Sequence, residues 1–296
     1  MNTRWQRLFL ALTVSLLAVA GLCVGLALAG GEPAAPTATT ATARYVAPTG
    51  SDAGDCSDPA NPCRTIQYAV NQAAAGDVVR IAAFDNTAPA RYTGSGTTPV
   101  ITLTKSIVLN GSYLYVHGGG GTLWSPGLVP ATVDGESARR AISITGPVTP
   151  TLQSLAFVNG AGTLGGNLYA ENASLTIRTT SAMSGTATTG GGIYLKNCDA
   201  TITTLTVMSN TATADGGGLY VEGGELTMTG GTIRGNAAGS SGLGGGIYSK
   251  NSATSIISAD VYSNTAATGA GFYVEGPAVF NPLNPTIFAS NYIRYN

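Results

Sequence analysis

The stretch Gly190-Gly-Gly-Ile-Tyr-Leu-Lys196 returns as Gly216-Gly-Gly-Leu-Tyr-Val-Glu222 and again as Gly244-Gly-Gly-Ile-Tyr-Ser-Lys250. The tyrosine of this pattern recurs at spacings of 25, 26, 28 and 25 residues, as Tyr169, Tyr194, Tyr220, Tyr248 and Tyr273. A steady period of this length predicts a solenoid, because each repeat can bury its apolar face only against the next one.

A second marker keeps the same period, and an apolar residue stands three positions before it in every repeat. The marker positions are Gly160, Gly185, Asn210, Asn236, Asn264 and Asn291. Short alternating runs broken by Gly and Asn predict strands. The expected fold class is therefore all-β, a right-handed parallel β-helix of about eight coils. Regular repeats span 152–296, and the asparagines are expected to form an amide ladder.

The alternation within each repeat also predicts which side chains face outward. In Ile193-Tyr194-Leu195-Lys196 the aliphatic residues face the core, so that the tyrosine and the lysine face away from it. Stacked coils then give an exposed ladder of the five tyrosines, on which sugar rings or a partner strand could rest. A structural role in cross-strand packing is the alternative for the same tyrosines.

Two positions after the tyrosines runs a ladder of alternating charge: Glu171, Lys196, Glu222, Lys250 and Glu275. A slip of one coil would bring like charges together, so the ladder is interpreted first as a control of register.

The N-terminal residues divide into three parts. Residues 1–29 hold Arg4, Arg7 and a long apolar run, which predicts a signal peptide or an uncleaved membrane anchor. Residues 30–43 form a Pro/Ala/Thr linker, and the β-helix domain covers 44–296. Within it, Thr65 is expected to begin a helix over 65–75 that caps the solenoid, because apolar residues follow at helical spacing and Gly76 can end it.

Composition excludes several classes of function. Only 10% of the residues are charged and the net charge is −1, which argues against a nucleic-acid partner. One histidine and four cysteines do not make a His-rich metal centre or a zinc ligand set. The 41 glycines among 296 residues fit a turn-rich β protein outside the cell.

Export permits disulfide bonds. Cys56 and Cys63 lie seven residues apart in a Gly/Asp/Pro-rich loop and are predicted to pair. Cys198 is expected to be a small buried side chain, because no histidine lies near it in sequence. The sequence stops soon after the last marker asparagine, and an open β-helix end invites either further repeats or a protein partner.

Three N-terminal stretches resemble the opening of bacterial right-handed parallel β-helix proteins of the pectin lyase-like superfamily. They are Tyr45-Val-Ala-Pro-Thr-Gly-Ser-Asp52, Pro62-Cys-Arg-Thr-Ile-Gln-Tyr-Ala-Val70 and Gly76-Asp-Val-Val-Arg-Ile81. The Gly-Gly-Gly turns and the marker asparagines resemble the repeats of chlamydial-type polymorphic outer-membrane proteins, whose Phe-x-x-Asn form Phe288-Ala-Ser-Asn291 matches. The resemblance covers roughly residues 44–296 and implies the fold, which hosts lyases, hydrolases, adhesins and phage tailspikes.

The resemblance also implies what an enzyme of this fold would need. Its pectate lyases hold calcium with clustered carboxylates and use an Arg or Lys base, and its polygalacturonases use several Asp on neighbouring coils. This chain has no Asp-Asp pair and no Asn-Thr-Asp motif. His117-Gly118 is similar to a His-Gly element of the polygalacturonases, but it stands alone and is interpreted as a loop residue. The dense charges Asp134, Glu136, Arg139 and Arg140 are interpreted as solvated turn charges.

The charged ladder offers the remaining catalytic candidates, Glu171, Lys196 and Glu222. Two coils separate the glutamates, about 9.6 Å at strand spacing, which lies at the edge of the range for inverting glycosidases. Asp215 and Glu225 could add calcium ligands if the chain were a lyase; otherwise no cofactor is expected.

These observations favour a cell-surface or secreted structural and adhesive module that binds a polysaccharide or a cell-surface glycan along the tyrosines. A polysaccharide lyase or glycoside hydrolase is the first alternative, and a purely structural spacer is the second.

Overall fold

A computed structural model describes residues 41–276 and the backbone of two short strands, 287–289 and 292–294. The expected leader, most of the linker and Asn291 lie outside the described residues. The helix is α1 (Ile66–Gln72). The first strands are β1 (Ala43–Val46), β2 (Val78–Asp85), β3 (Ala88–Pro89), β4 (Arg91–Tyr92), β5 (Ile101–Leu103), β6 (Val108–Gly118), β7 (Gly121–Pro126), β8 (Ala131–Asp134), β9 (Ile142–Thr145), β10 (Thr151–Gln153), β11 (Leu155–Val158) and β12 (Ala161–Leu164). The others are β13 (Leu168–Glu171), β14 (Ser174–Met183), β15 (Thr186–Thr189), β16 (Ile193–Met208), β17 (Thr211–Ala212), β18 (Leu219–Arg234), β19 (Ile247–Lys250), β20 (Ala253–Ile257), β21 (Asp260–Tyr262), β22 (Phe272–Glu275), β23 (Ile287–Ala289) and β24 (Tyr292–Arg294).

The chain folds as a parallel β-helix of about eight coils, as the repeat predicts. Strands of successive coils pair in parallel and in register, so that Tyr194 of β16 lies opposite Tyr220 of β18. One column of paired positions runs through all the coils: Tyr45, Arg80, Asn110, Gln153, Arg178, Thr203, Thr229, Ile257 and Ala289. A smaller sheet of β12, β15 and β17 lies beside this main sheet.

Aliphatic side chains fill the interior of the solenoid. Ile193, Leu195, Leu219 and Val221 are all at most 1% exposed, which confirms the predicted inward phase of the alternation. Each such residue contacts its equivalents in the coils above and below, so the core is continuous along the stack.

Helix α1 packs at the N-terminal end of the solenoid against β1, β2 and β5, with Ile66, Ala69 and Val70 buried. The Thr65 side chain accepts a hydrogen bond from the Tyr68 amide and caps it, as predicted. The predicted end at residue 75 is wrong, because Ala73 is already extended. Lys105 satisfies the freed carbonyl groups instead, since its Nζ donates to Val70, Asn71 and Ala73 at 3.1, 2.9 and 2.7 Å.

The predicted amide ladder is confirmed within the described residues and is longer than expected. The Asn210 Nδ2 donates to Asn236 Oδ1 at 2.9 Å, and the Asn236 Nδ2 donates to Asn264 Oδ1 at 3.0 Å. Asn167 extends the ladder by one coil, since its Nδ2 donates to Asn210 Oδ1 at 3.1 Å. All four amides are fully buried.

A hairpin interrupts the coils near the N-terminal end. Strands β6 and β7 pair antiparallel over Tyr113–Gly118 and Gly121–Pro126. Residues 113–126 therefore form a β-ribbon. No helix among the described residues is long and apolar enough to cross a membrane.

Candidate functional site

The five tyrosines stack ring on ring along one side of the solenoid. Consecutive ring centroids from Tyr169 to Tyr273 are 5.8, 4.8, 4.5 and 5.4 Å apart, with interplanar angles of 22°, 4°, 24° and 1°. Such spacing follows from the in-register coils, which place equivalent residues one strand spacing apart. The predicted ladder is therefore present.

Its predicted exposure is wrong for the three central rings. Tyr194, Tyr220 and Tyr248 are 5%, 7% and 2% exposed, and Tyr169 and Tyr273 are half-buried. The rings do face away from the aliphatic core, but Leu164 and Leu243 from the preceding turns pack over them in a separate cluster.

A glycine four residues before each tyrosine permits this cover. Gly165, Gly190, Gly216, Gly244 and Gly269 all have φ between +64° and +67°. A Cβ on Gly190 would lie 3.0 Å from the Tyr194 Cβ, and one on Gly244 would lie 2.7 Å from the Tyr248 Cβ. The turn therefore passes directly over the tyrosine, and the faces of the central rings are closed to a sugar.

The charged ladder follows the predicted register. Glu171, Lys196, Glu222, Lys250 and Glu275 lie opposite one another in successive coils. Lys196 Nζ lies 2.9 Å from Glu171 Oε1, and Lys250 Nζ lies 3.3 Å from Glu275 Oε1.

Tyrosine hydroxyl groups bind the same carboxylates. Tyr169 donates to Glu171 at 2.7 Å, Tyr194 donates to Glu222 at 2.5 Å, and Tyr248 donates to Glu275. The bond from Tyr169, with Lys196 second, lowers the pKa of Glu171 below its usual value. Burial raises the pKa of Tyr169 to about 12, with the bond to Glu171 adding to it.

This arrangement bears directly on the catalytic candidates. A glycosidase general acid needs a raised pKa so that it holds its proton. The pKa of Glu171 moves in the opposite direction, and the Lys196 ammonium is held protonated by that same carboxylate, which raises its pKa. In the described structure these residues are suited to a charge-paired ladder.

The two calcium candidates lie on different segments, and Asp215 already accepts a hydrogen bond. Asp215 precedes the Gly216 turn and accepts the Leu243 amide at 2.8 Å, whereas Glu225 lies within β18, opposite Asp199. Among the described residues, no group of three or more His, Cys, Asp and Glu side chains comes together as a metal site.

The expectation of solvated turn charges is wrong for Asp134 and Arg139, which are buried, whereas Glu136 is exposed in a turn as expected. Asp134 is fully buried, pairs with Arg91 and accepts the Asn159 Nδ2 at 3.1 Å. Arg139 is 8% exposed and pairs with Glu136. These two ion pairs stabilise the turn that follows β8.

His117 lies in strand β6 and not in a loop, and its ring packs against Tyr115 with centroids 4.8 Å apart. Its Nε2 lies 3.0 Å from Oδ1 of Asp85, whose side chain is 6% exposed. Asp85 also accepts the Thr49 amide through Oδ2 at 2.9 Å. This cluster could not be predicted, because Thr49, Asp85 and His117 lie 32 to 68 positions apart in the chain.

The predicted disulfide bond between Cys56 and Cys63 is confirmed, and Cys198 is buried as expected. The loop that the disulfide closes contacts the hairpin, where the Trp124 Nε1 donates to the Pro59 carbonyl at 2.9 Å. The Trp124 ring lies 5.0 Å from Tyr45 and 4.7 Å from Tyr115. An aromatic cluster therefore joins the hairpin to the first coil.

Comparison with known proteins yields a likeness of fold. No protein-family model matches the sequence, and no curated protein matches it. A solved structure described as a rhamnogalacturonan lyase is similar over 86% of this chain and 69% of its own, at 18% identity and a TM-score of 0.43. The resemblance to the chlamydial-type repeats stays a prediction.

Proposed function

We propose that this chain is a structural and adhesive module of the cell surface or of secretions, which holds a glycan without cleaving it. The observation that carries the proposal is the closed stack of tyrosines, carboxylates and lysines along the coils. Such ladders fix the register of a solenoid and give it a rigid, regular surface. Export is supported by the leader-like residues 1–29 and by the disulfide bond between Cys56 and Cys63.

Pairing within the charged ladder supports a role without catalysis. Glu171 and Glu275 each bind a lysine and a tyrosine hydroxyl, which lowers the pKa of both carboxyl groups. Carboxylates held in this way are poor proton donors at neutral pH.

Glycan binding is supported by the polar and aromatic surface at the N-terminal end. The cover over Tyr194, Tyr220 and Tyr248 leaves little ring surface for a ligand along the ladder. Half-buried aromatic rings beside amide and hydroxyl groups, as around Trp124 and His117, are the surroundings in which sugars are commonly held.

Native electrophoresis tests the proposal. The full-length chain, purified in mild detergent, is run through gels cast with neutral and acidic polysaccharides, with and without calcium, and the gels are then stained for polysaccharide. Retarded migration without a cleared zone is expected in at least one gel. No retardation in any gel would overturn glycan binding, and a cleared zone would overturn the non-catalytic role.

If a cleared zone appears, two variants show whether the ladder carboxylates cause it. Glu171→Gln and Glu222→Gln change the two ladder carboxylates without changing their size, so a cleared zone that both abolish would assign hydrolysis or elimination to the ladder. Clearing that survives both variants would place the catalytic groups elsewhere.

A further inference from the structure

A groove of about 500 Å³ lies between the disulfide-closed loop and the β6–β7 hairpin. Its walls include Thr49 and Ser51 from the segment after β1, Asn61 from the disulfide loop, and Tyr115 and His117 from the hairpin. This volume falls within the range of about 300–1,000 Å³ that small-ligand sites occupy in proteins.

One buried carboxylate fixes two walls of the groove relative to each other. Asp85 binds the His117 ring through Oδ1 and the Thr49 amide through Oδ2, at 3.0 and 2.9 Å. Asn86 adds a second tie, since its Oδ1 accepts the His117 amide at 3.0 Å. The imidazole is therefore held in one orientation before any ligand arrives, which lowers the entropy cost of binding.

The third wall is fixed as well. The disulfide bond closes the loop that carries Asn61, and the Trp124 indole anchors that loop to the hairpin through the Pro59 carbonyl. Asn61 donates its Nδ2 to Asp58 at 2.7 Å.

The charge around the groove selects the chemistry of a ligand. None of the residues that line it is Lys or Arg. Arg64 donates its Nε to the Gly50 carbonyl but lines a separate cavity. Asp85 and Asp58 both act on the groove, because after burial they are the charges that raise the pKa of Tyr115. An acidic sugar would be repelled here, whereas the hydroxyl groups of a neutral sugar would find donors and acceptors.

We propose that this groove binds a neutral sugar residue of a glycan, with the apolar face of the sugar on the His117 ring and its hydroxyl groups on Thr49, Ser51 and Asn61. The His117 side chain is 33% exposed and lines the groove while Tyr115 packs against its ring. The proposal rests on the proposed glycan-binding function and assigns it a site.

Affinity electrophoresis and calorimetry of the full-length chain test the site, with a neutral β-glucan, a neutral galactomannan and polygalacturonate as probes. His117→Gln removes the flat ring but keeps an amide nitrogen that can donate to Asp85. Thr49→Val removes one hydroxyl group, which also lies 3.3 Å from His117 Nε2, and keeps the Asp85 carboxylate that orients the ring. Leu128→Ser is the control, because this side chain is 99% exposed and does not line the groove.

The wild-type chain is expected to bind at least one neutral polysaccharide and to bind polygalacturonate much more weakly. His117→Gln and Thr49→Val should each weaken neutral-glycan binding about tenfold, the effect of one lost polar or stacking contact, while Leu128→Ser binds like wild type. Circular dichroism of every variant shows whether the solenoid is intact. If His117→Gln proves to be unfolded, the binding result of Thr49→Val tests the site in its place.

The contrary results separate the two proposals. Wild-type affinity in both groove variants would overturn this site and leave the glycan-binding function standing. Preference for polygalacturonate would overturn the argument from charge. No binding of any probe by the wild-type chain would overturn both.

Discussion

The amide ladder depends on an exchange between Asn and Gly at two positions of each coil. Where the marker is Asn210, the residue 18 positions earlier, directly before β16, is Gly192, and a Cβ there would lie 2.8 Å from the Asn210 Nδ2. Where the marker is Gly185, Asn167 supplies the amide, and a Cβ on Gly185 would lie 2.5 Å from the Asn167 Nδ2. Each coil therefore has room for one buried amide side chain, which comes either from the marker position or from the position 18 residues before it.

This exchange explains why part of the amide ladder could be predicted from the sequence and part could not. The repeated spacing of Asn210, Asn236 and Asn264, at 26 and 28 residues, predicted their ladder directly. Asn167 was missed because it stands at a different position of the repeat, and only the folded coil brings it into the same column.

Asn236→Ala is expected to lower the free energy of unfolding by about 3 kcal/mol, because it leaves several buried donors and acceptors unpaired. The groups that lose a hydrogen bond are the Asn210 backbone amide, the Asn210 side-chain amide and the Val207 carbonyl. Thermal unfolding measures the loss. Thr203→Ala on the exposed face is the control, and an equal, small effect of both substitutions would contradict a structural role for the ladder.

Gly244→Ala tests the cover over the tyrosines. The residue has φ +67°, and a Cβ would lie 2.7 Å from the Tyr248 Cβ, so we expect a loss of about 2 kcal/mol or more. Gly119→Ala in the hairpin turn is the matched control, since nothing lies within 4 Å of its added Cβ. Chemical denaturation compares the two variants; a Gly244→Ala chain as stable as the control would mean that the turn does not lie against the ring.

At the scale of elements, the strand alternation predicted the direction of each side chain but not its exposure. Tyr194 points away from the core as predicted, and the turn before β16 nevertheless buries it. Period-two patterning reports only the two faces of one strand. Whether a neighbouring turn covers the outer face depends on the left-handed glycine at Gly190, for which the pattern alone gives no signal.

The hairpin of β6 and β7 also shows what could and could not be predicted from strand alternation. Tyr113, Tyr115 and His117 alternate along β6, and a run of glycines from 118 to 121 separates them from Thr122 and Trp124. Two alternating runs around a glycine turn are typical of a hairpin, and this signal could have placed His117 in a strand and not in a loop. The Asp85–His117 pair could not have been predicted, since it joins strands that the sequence does not show to be neighbours.

Lys196→Glu tests the charged ladder as a unit. The substitution places three carboxylates in adjacent coils, from Glu171 to Glu222. We expect a lower melting temperature at low salt that added salt partly restores, because screening weakens repulsion between exposed charges. Lys196→Gln separates the lost attraction from the new repulsion. A melting temperature that is independent of salt in the Glu variant would show that the ladder does not control register.

At the scale of the whole molecule, the repeat made the fold predictable and left the site open. A solenoid needs only contacts between adjacent repeats, so one period read from the tyrosines predicts every coil after residue 152. The groove instead combines the segment after β1, the disulfide loop and the hairpin, which belong to the irregular N-terminal part. Its geometry depends on contacts between segments that share no pattern.

The molecule as a whole is thus a regular ladder joined to an irregular end: the ladder stabilises the fold, and the irregular end carries the proposed binding site. The claim to be tested is that the central tyrosine rings, Tyr194, Tyr220 and Tyr248, are closed to solvent. Burial raises the pKa of both Tyr169 and Tyr220 to about 12, above the ordinary value of 10.0. The stabilisation is complete below pH 10 and is lost as the pH rises through 12, since the unfolded chain releases these protons first.

Titration of tyrosinate absorbance, followed in parallel by circular dichroism, tests that claim most directly. The chain has 13 tyrosines, and we predict that four of the stacked ones, Tyr169, Tyr194, Tyr220 and Tyr248, ionise only above the ordinary value of 10.0, together with unfolding of the solenoid. If all the tyrosines ionise together near pH 10 while the β-helix signal persists, the stack is open to solvent and the account is contradicted.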